Sequence, residues 1–172
     1  QSKTETTVKE LISILRREIQ SFNAIVELLI LEEKGLVECN NDLLIDVIGR
    51  QEDVLSSIAC LEKSRIECVF KIAHALGTDA DSLSITKIAD IQGGTLKKEL
   101  LEAAHVISQI NKDIQQKKKS NTLLIKQGAM IVDYNLRFLM KAIGKDDQVR
   151  DTYTASATVG GITGGMHVDG KL

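Results

Sequence analysis

The chain has 172 residues, of which 43% are hydrophobic, 27% are charged and 3% are aromatic, and it contains no proline. This length suffices for one domain with a hydrophobic core. The net charge of −2 gives no electrostatic reason to expect nucleic acid or an anionic membrane as the main partner. No segment has about 18 consecutive apolar residues, so a membrane-spanning helix is not expected.

Long helices are predicted along most of the chain, because no proline interrupts the backbone hydrogen bonds. Between Val8 and Leu29, apolar residues recur at steps of four and three. This period predicts an amphipathic helix over about residues 5–38. We expect the next polar run to form a turn, in which Asn41 or Asp42 caps a second helix over about residues 42–76.

The second predicted helix carries an apolar stripe with polar interruptions. Its apolar members are Leu44, Ile48, Leu55, Ile58, Val69, Ile72 and Leu76. Gln51, Glu62 and Arg65 lie at positions of the same stripe, which predicts imperfect packing in this part of the hairpin.

Turn residues then predict two further helices. Gly77 is expected to end the second helix, because glycine tolerates the positive φ of a helix C-cap. Ser84 is expected to cap a short helix over about residues 84–92. After the pair Gly93 and Gly94, Thr95 is a candidate cap for a long helix over about residues 95–144.

The long helix has an apolar seam, meaning a row of residues expected to pack on the neighbouring helices. It starts with Leu96, Leu100, Ala103, Ile107, Ile110 and Ile114, and passes through Lys117 and Asn121. It continues with Ile125, Ala129, Val132, Leu136, Leu139 and Ile143. The steps from Lys117 to Asn121, Ile125 and Ala129 are all four, and the two extra steps of four indicate a local change in supercoiling rather than a helix end.

These elements predict an all-α fold. We expect a long antiparallel helical hairpin packed on a long third helix, an elongated coiled-coil-like bundle with one short extra helix. The bundle is predicted to span residues 1–149. Residues 150–172 are predicted to form a flexible tail, because the segment after Gly144 contains five of the twelve glycines and little helical periodicity.

The long helix also carries a second stripe of apolar residues on the side facing away from the seam. Its members are Leu123, Leu124, Met130, Ile131, Tyr134 and Phe138. Three interpretations are open: core packing against the short helix of residues 84–92, self-association, or docking of a partner's amphipathic helix. Met130 favours docking, because an unbranched thioether adapts to irregular partners.

Catalytic and metal chemistry is not predicted. Glu102 and His105 have the Glu-x-x-His spacing of di-iron bundles, but neither other histidine follows a glutamate at that spacing, so the required second motif is missing. The three cysteines, Cys39, Cys60 and Cys68, are an odd number without metal-type spacing, which fits reduced thiols in the cytoplasm. We expect neither an enzyme nor a cofactor, and we expect a cytoplasmic location, because the first residues also lack the features of a secretory signal.

The order of these features resembles the FlgN family of flagellar type III export chaperones. The resemblance covers nearly the whole chain and includes Gln51 with Glu52, and a Leu-Glu-x-x-Arg pattern from Leu61 to Arg65. It also includes Asn121 followed by Leu123 and Leu124, and a tyrosine, Tyr153, in a segment of small residues.

The resemblance implies specific partners. Members of the family hold hook-filament junction proteins in the cytoplasm by their C-terminal amphipathic helix and deliver them to the export gate, a membrane protein. By this implication the second stripe binds the client helix and Tyr153 contacts the gate, although Ala157 stands where a glycine usually follows that tyrosine. The alternative is a structural bundle protein that forms homo-oligomers through the second stripe.

Overall fold

The fold is all-α, as predicted. The computed structural model describes the backbone of residues 3–142 and the side chains of residues 3–141. Four helices, α1 (Lys3–Val37), α2 (Asn41–Leu76), α3 (Ile85–Gln92) and α4 (Gly94–Ala142), lie where the periodicity predicted them, and a short 3-10 helix (Ala80–Ser82) precedes α3. No strand occurs within residues 3–142. The predicted tail of residues 150–172 lies outside this range, and the division of the chain at residue 149 stays a prediction.

Side-chain caps begin two of the helices. Asn40 caps α2, because its side-chain oxygen accepts a hydrogen bond from the Leu43 amide at 3.0 Å. The predicted caps, Asn41 and Asp42, were therefore wrong, since both already belong to the first turn of α2. The prediction for Ser84 is confirmed: its hydroxyl accepts a hydrogen bond from the Lys87 amide at 3.2 Å.

Glycines determine where α2 ends and α4 begins. Gly77 ends α2 with a φ of 64°, in the left-handed region that glycine tolerates at a C-cap. Thr95 does not cap α4 as predicted. The helix already begins at Gly94, and the turn into it uses positive φ values at Gly93 and Gly94, which a β-branched residue would adopt only with strain.

The chain comprises two units, and their boundary lies within α4. The first unit runs to Thr122 and the second begins at Leu123. The hydrophobic core lies in the first unit and includes most of the predicted stripe of α1, three residues of α3 and the predicted seam of α4 from Leu100 to Ile110. The predicted continuation of the seam to Asn121 is also confirmed, since Asn121 is buried.

The apolar stripe of α2 is only partly buried. Ile58 and Ile72 lie in the core, but Ile48 and Leu55 are exposed, so the prediction was wrong for these two residues. The reason is that α2 carries apolar residues on two neighbouring faces at helical spacing, and periodicity alone does not tell which face meets the core.

Two of the three polar interruptions of α2, Gln51 and Arg65, make specific contacts with α1. Arg65 Nε lies 3.4 Å from Glu18 Oε1, and Glu18 is almost completely buried. Burial raises the pKa of the Glu18 carboxyl, and the nearby Arg65 guanidinium partly offsets this increase. Gln51 Nε2 donates a hydrogen bond to Glu32 Oε2 at 3.4 Å. The predicted imperfect packing is therefore replaced, at these positions, by polar pairing between the two helices.

Candidate functional site

The second stripe lies on α4 in the second unit. Alanine, leucine, lysine and methionine are frequent in this part of the sequence and favour a helix, and the helix continues without interruption to Ala142. Five of the six stripe residues are exposed, from 56% at Leu123 to 71% at Met130 and Tyr134. The sixth, Leu124, is partly buried.

The seam of α4 is also exposed beyond Thr122. Ile125, Val132 and Leu139 expose more than half of their surface, and Leu136 is partly buried. The prediction that this part of the seam is buried was therefore wrong. A heptad pattern identifies residues that share a helix face, but it does not supply the neighbouring side chains that would cover that face.

The exposed stripe is not part of a core. The three inward residues of α3, Ile85, Ile88 and Ala89, are buried within the core of the first unit, whereas the stripe residues remain accessible. The accessibility of the stripe favours self-association or partner docking over core packing against the short helix. Contiguous apolar surface of this kind marks an interaction site, and a helix with apolar residues around most of its circumference needs a covering partner.

A buried polar contact precedes the stripe directly in sequence. Asn121 is only 3% exposed, and its Nδ2 donates to the Leu29 carbonyl and to Glu32 Oε2, both at 2.9 Å. The Gln51 side chain donates to the same carboxylate oxygen. Within the first unit, this contact joins α4, α1 and α2 and fixes the register of α4 on the hairpin.

Sequence reasoning placed Asn121 on the seam and in the pattern resembling the FlgN family, but missed its bonding partners. The available signal was a polar residue at a position where the period requires an apolar one. Its Oδ1 atom has no hydrogen-bond partner within the described part of the chain. The amide orientation follows from its partners, because both are acceptors and only an NH₂ group can satisfy them.

The described residues give little support to the other candidate sites. Glu102 and His105 are both exposed, and within residues 3–142 no three histidine, cysteine, aspartate or glutamate side chains cluster in a way that would hold a metal ion. In the same range, no helix is sufficiently long and apolar to span a membrane. Cys39 and Cys60 are exposed and Cys68 is buried. Tyr153, the residue implied to contact the export gate, lies outside the described residues.

The fold and the exposed stripe together indicate a class of protein. A helical unit with its own core, continued on the same helix by an exposed apolar surface, is the architecture of a helical binding protein. The sequence matches the model of the family described as FlgN protein over residues 7–160, and the chain belongs to that family. FlgN proteins are flagellar export chaperones rather than enzymes. No curated protein and no solved structure matches the sequence.

Proposed function

We propose that the protein binds the C-terminal amphipathic helix of hook-filament junction proteins in the cytoplasm and delivers them to the type III export gate. Membership of the FlgN family supports a role with flagellar export substrates. The observation that carries the proposal is the exposure of the second stripe, whose central residues Met130, Ile131 and Tyr134 are each more than 60% exposed.

The physical properties of this surface suit reversible holding. Burying several hundred Å² of apolar surface at about 25 cal/mol per Å² contributes about 10 kcal/mol before costs. Ordering of side chains and of the client takes back a large part of this free energy. The result is binding in the micromolar to nanomolar range, which the export apparatus can reverse without covalent chemistry.

The first test uses isothermal titration calorimetry with a peptide from the C-terminal helix of a junction protein of the same source. We expect saturable binding with a negative heat-capacity change, because apolar surface is removed from water. Ile131→Asp and Phe138→Asp are expected to abolish binding. The matched control is Gln116→Asp, which adds the same charge at an exposed position of α4 in the first unit and is expected to keep the affinity.

The stability of these variants separates a binding role from a core role. Exposed residues carry little folding free energy, so the helix content and melting temperature of both variants should stay close to those of the unchanged protein. Unfolding by Ile131→Asp would place the stripe in a core. A folded, monodisperse protein that does not bind the peptide would refute the client role and favour homo-oligomerisation through the stripe.

The gate contact is tested separately at Tyr153. We expect Tyr153→Ala to weaken binding of the client-loaded protein to the cytoplasmic part of the export-gate protein, and to leave the affinity for the client peptide unchanged. Tyr153→Phe tests whether the ring or the hydroxyl matters. Equal gate affinity for all three proteins would remove Tyr153 from the proposal and leave the client site untouched.

A further inference from the structure

A second exposed apolar face lies on α2 in the first unit. Its residues follow one another at steps of three and four and fall on one side of the helix. They are Ile45, Ile48, Glu52, Leu55, Ala59, Lys63, Ile66 and Phe70, which we call the α2 outer face, and all eight are exposed. The five large apolar residues among them are between 43% and 71% exposed, a surface of the kind that marks an interaction site.

The order of residue types on this face is nearly palindromic. Read from its two ends towards a centre at Ser57, Ile45 corresponds to Phe70 and Ile48 to Ile66. The inner positions are Glu52 with Lys63, and Leu55 with Ala59. Each pair is placed symmetrically about the centre to within one residue.

A palindromic face complements itself when two copies pack antiparallel. Two copies related by a twofold axis near Ser57 would bring Ile45 of one copy against Phe70 of the second copy, and Ile48 against Ile66 of the second copy. At the centre, the side chain of Leu55 would meet the small Ala59 of the second copy, a pairing of large and small residues that lets two helices approach closely. All contacts occur twice, as a twofold interface requires.

The charges on the face select the same arrangement. Glu52 would lie opposite Lys63 of the second copy, and Lys63 opposite Glu52 of the second copy, so both charges find a partner. In a parallel arrangement Glu52 would face Glu52 of the second copy and Lys63 would face Lys63 of the second copy, and like charges repel. An unrelated partner helix imposes no requirement for symmetry on this face, whereas a second copy does.

We propose that the α2 outer face is a homodimer interface in which two copies of the chain pack α2 against α2, antiparallel, about a twofold axis near Ser57. This inference does not depend on the client-binding role of α4, because it uses different residues in the other unit. A protein of this family would then present two copies of its α4 surface from one dimer.

The test measures the mass of the full chain by sedimentation equilibrium over a range of concentrations. The expected result is a rise from the 18.9 kDa of one chain towards twice that mass. Glu52→Lys and Lys63→Glu should each weaken the dimer about tenfold, since either change creates two like-charge contacts across the twofold axis. Combining both changes restores the pairs with reversed sign and should return the affinity to within about threefold of the original.

The matched control is Lys98→Glu, which makes the same charge change at an exposed position of α4 in the first unit and should leave the mass curve unchanged. A chain that stays monomeric up to about 200 μM overturns the proposal. A double variant that dimerises no better than either single variant also overturns the proposal. The same holds if Ile131→Asp rather than Lys63→Glu abolishes the dimer. It holds as well if Leu55→Asp abolishes binding of the client peptide and leaves the mass unchanged.

Discussion

Replacing Asn121 by aspartate tests whether the buried amide aligns α4 with the hairpin. The two side chains have the same shape, so packing is preserved and only the chemistry changes. Asn121 donates from Nδ2 to the Leu29 carbonyl and to a carboxylate oxygen of Glu32, both at 2.9 Å. An ionised aspartate cannot donate either bond, and it places a second negative charge beside Glu32.

The expected cost follows from these contacts. A hydrogen bond to a neutral acceptor contributes about 1 kcal/mol and one to a charged acceptor about 1.5–3 kcal/mol. Burying an unpaired charge beside a like charge adds to this loss. We therefore expect Asn121→Asp to lower the free energy of unfolding by about 3–5 kcal/mol at pH 7, measured by urea denaturation.

The pH dependence of this loss has a definite sign. Burial and the Glu32 charge would raise the pKa of the new aspartate in the folded state above its value of about 3.9 in the unfolded chain. At a pH below the unfolded value the side chain is protonated in both states and can donate one hydrogen bond. The destabilisation is therefore smallest in acid and grows as the pH rises through the raised pKa.

The matched control for this experiment is Asn135→Asp, the same chemical change at an exposed position of α4. It should alter the free energy of unfolding by about 0.5 kcal/mol or less. An Asn121→Asp protein as stable at pH 7 as the Asn135→Asp protein, or equally destabilised at pH 4 and pH 7, would refute the role given to the buried amide.

Three further predictions concern the first unit. Because burial raises the pKa of Glu18, its carboxyl contributes stability below the unfolded pKa of about 4.3, and this contribution is lost as the pH rises through the folded pKa. The stability of the protein relative to Glu18→Gln, measured by denaturation, should therefore fall as the pH rises above about 4.3. A difference that does not change with pH would contradict this. Thiol labelling of the native protein should modify the two exposed cysteines quickly and Cys68 only after unfolding. The reason is that Cys68 is 1% exposed and burial raises the pKa of its thiol. Rapid labelling of all three cysteines would refute this prediction. Gly49→Ala should raise the free energy of unfolding by about 0.5–1 kcal/mol, since an added Cβ meets nothing within 4 Å. Gly35→Ala should show no such gain, because its Cβ would lie 2.8 Å from Leu44 Cδ2.

Local rules were sufficient to predict the helices of this chain. The recurrence of apolar residues at steps of three and four placed all four helices, and the cap at Ser84 and the C-cap at Gly77 followed from the side-chain and backbone chemistry of these residues. The cap of α2 was misplaced because Asn40, Asn41 and Asp42 are all good capping residues, and the sequence contains nothing that ranks them.

Burial was harder to predict than secondary structure. Residues that obey the same period differ in burial. On α2, Ile58 is buried and Leu55 is exposed. On α4, Ile107 is buried and Val132 is exposed. Burial depends on which other helices are present at that level, and this is a property of the tertiary structure. The second stripe of α4 was recognised because it exceeded what one helix face needs. On α2, the exposed residues Ile48 and Leu55 were assigned to the core stripe of the same helix.

The distribution of polar contacts accounts for how the chain can expose so much apolar surface and still keep one arrangement of helices. An apolar interface alone specifies register weakly, because aliphatic residues accept several alignments. The Glu18 to Arg65 contact aligns α1 with α2, and the Asn121 to Glu32 contact aligns α4 with α1. Both contacts lie within the first unit, so the residues of the second stripe are not needed to hold the core together. We therefore expect substitutions in the stripe to leave the free energy of unfolding nearly unchanged and substitutions at Asn121 to lower it, because the stripe and the core contacts use separate side chains.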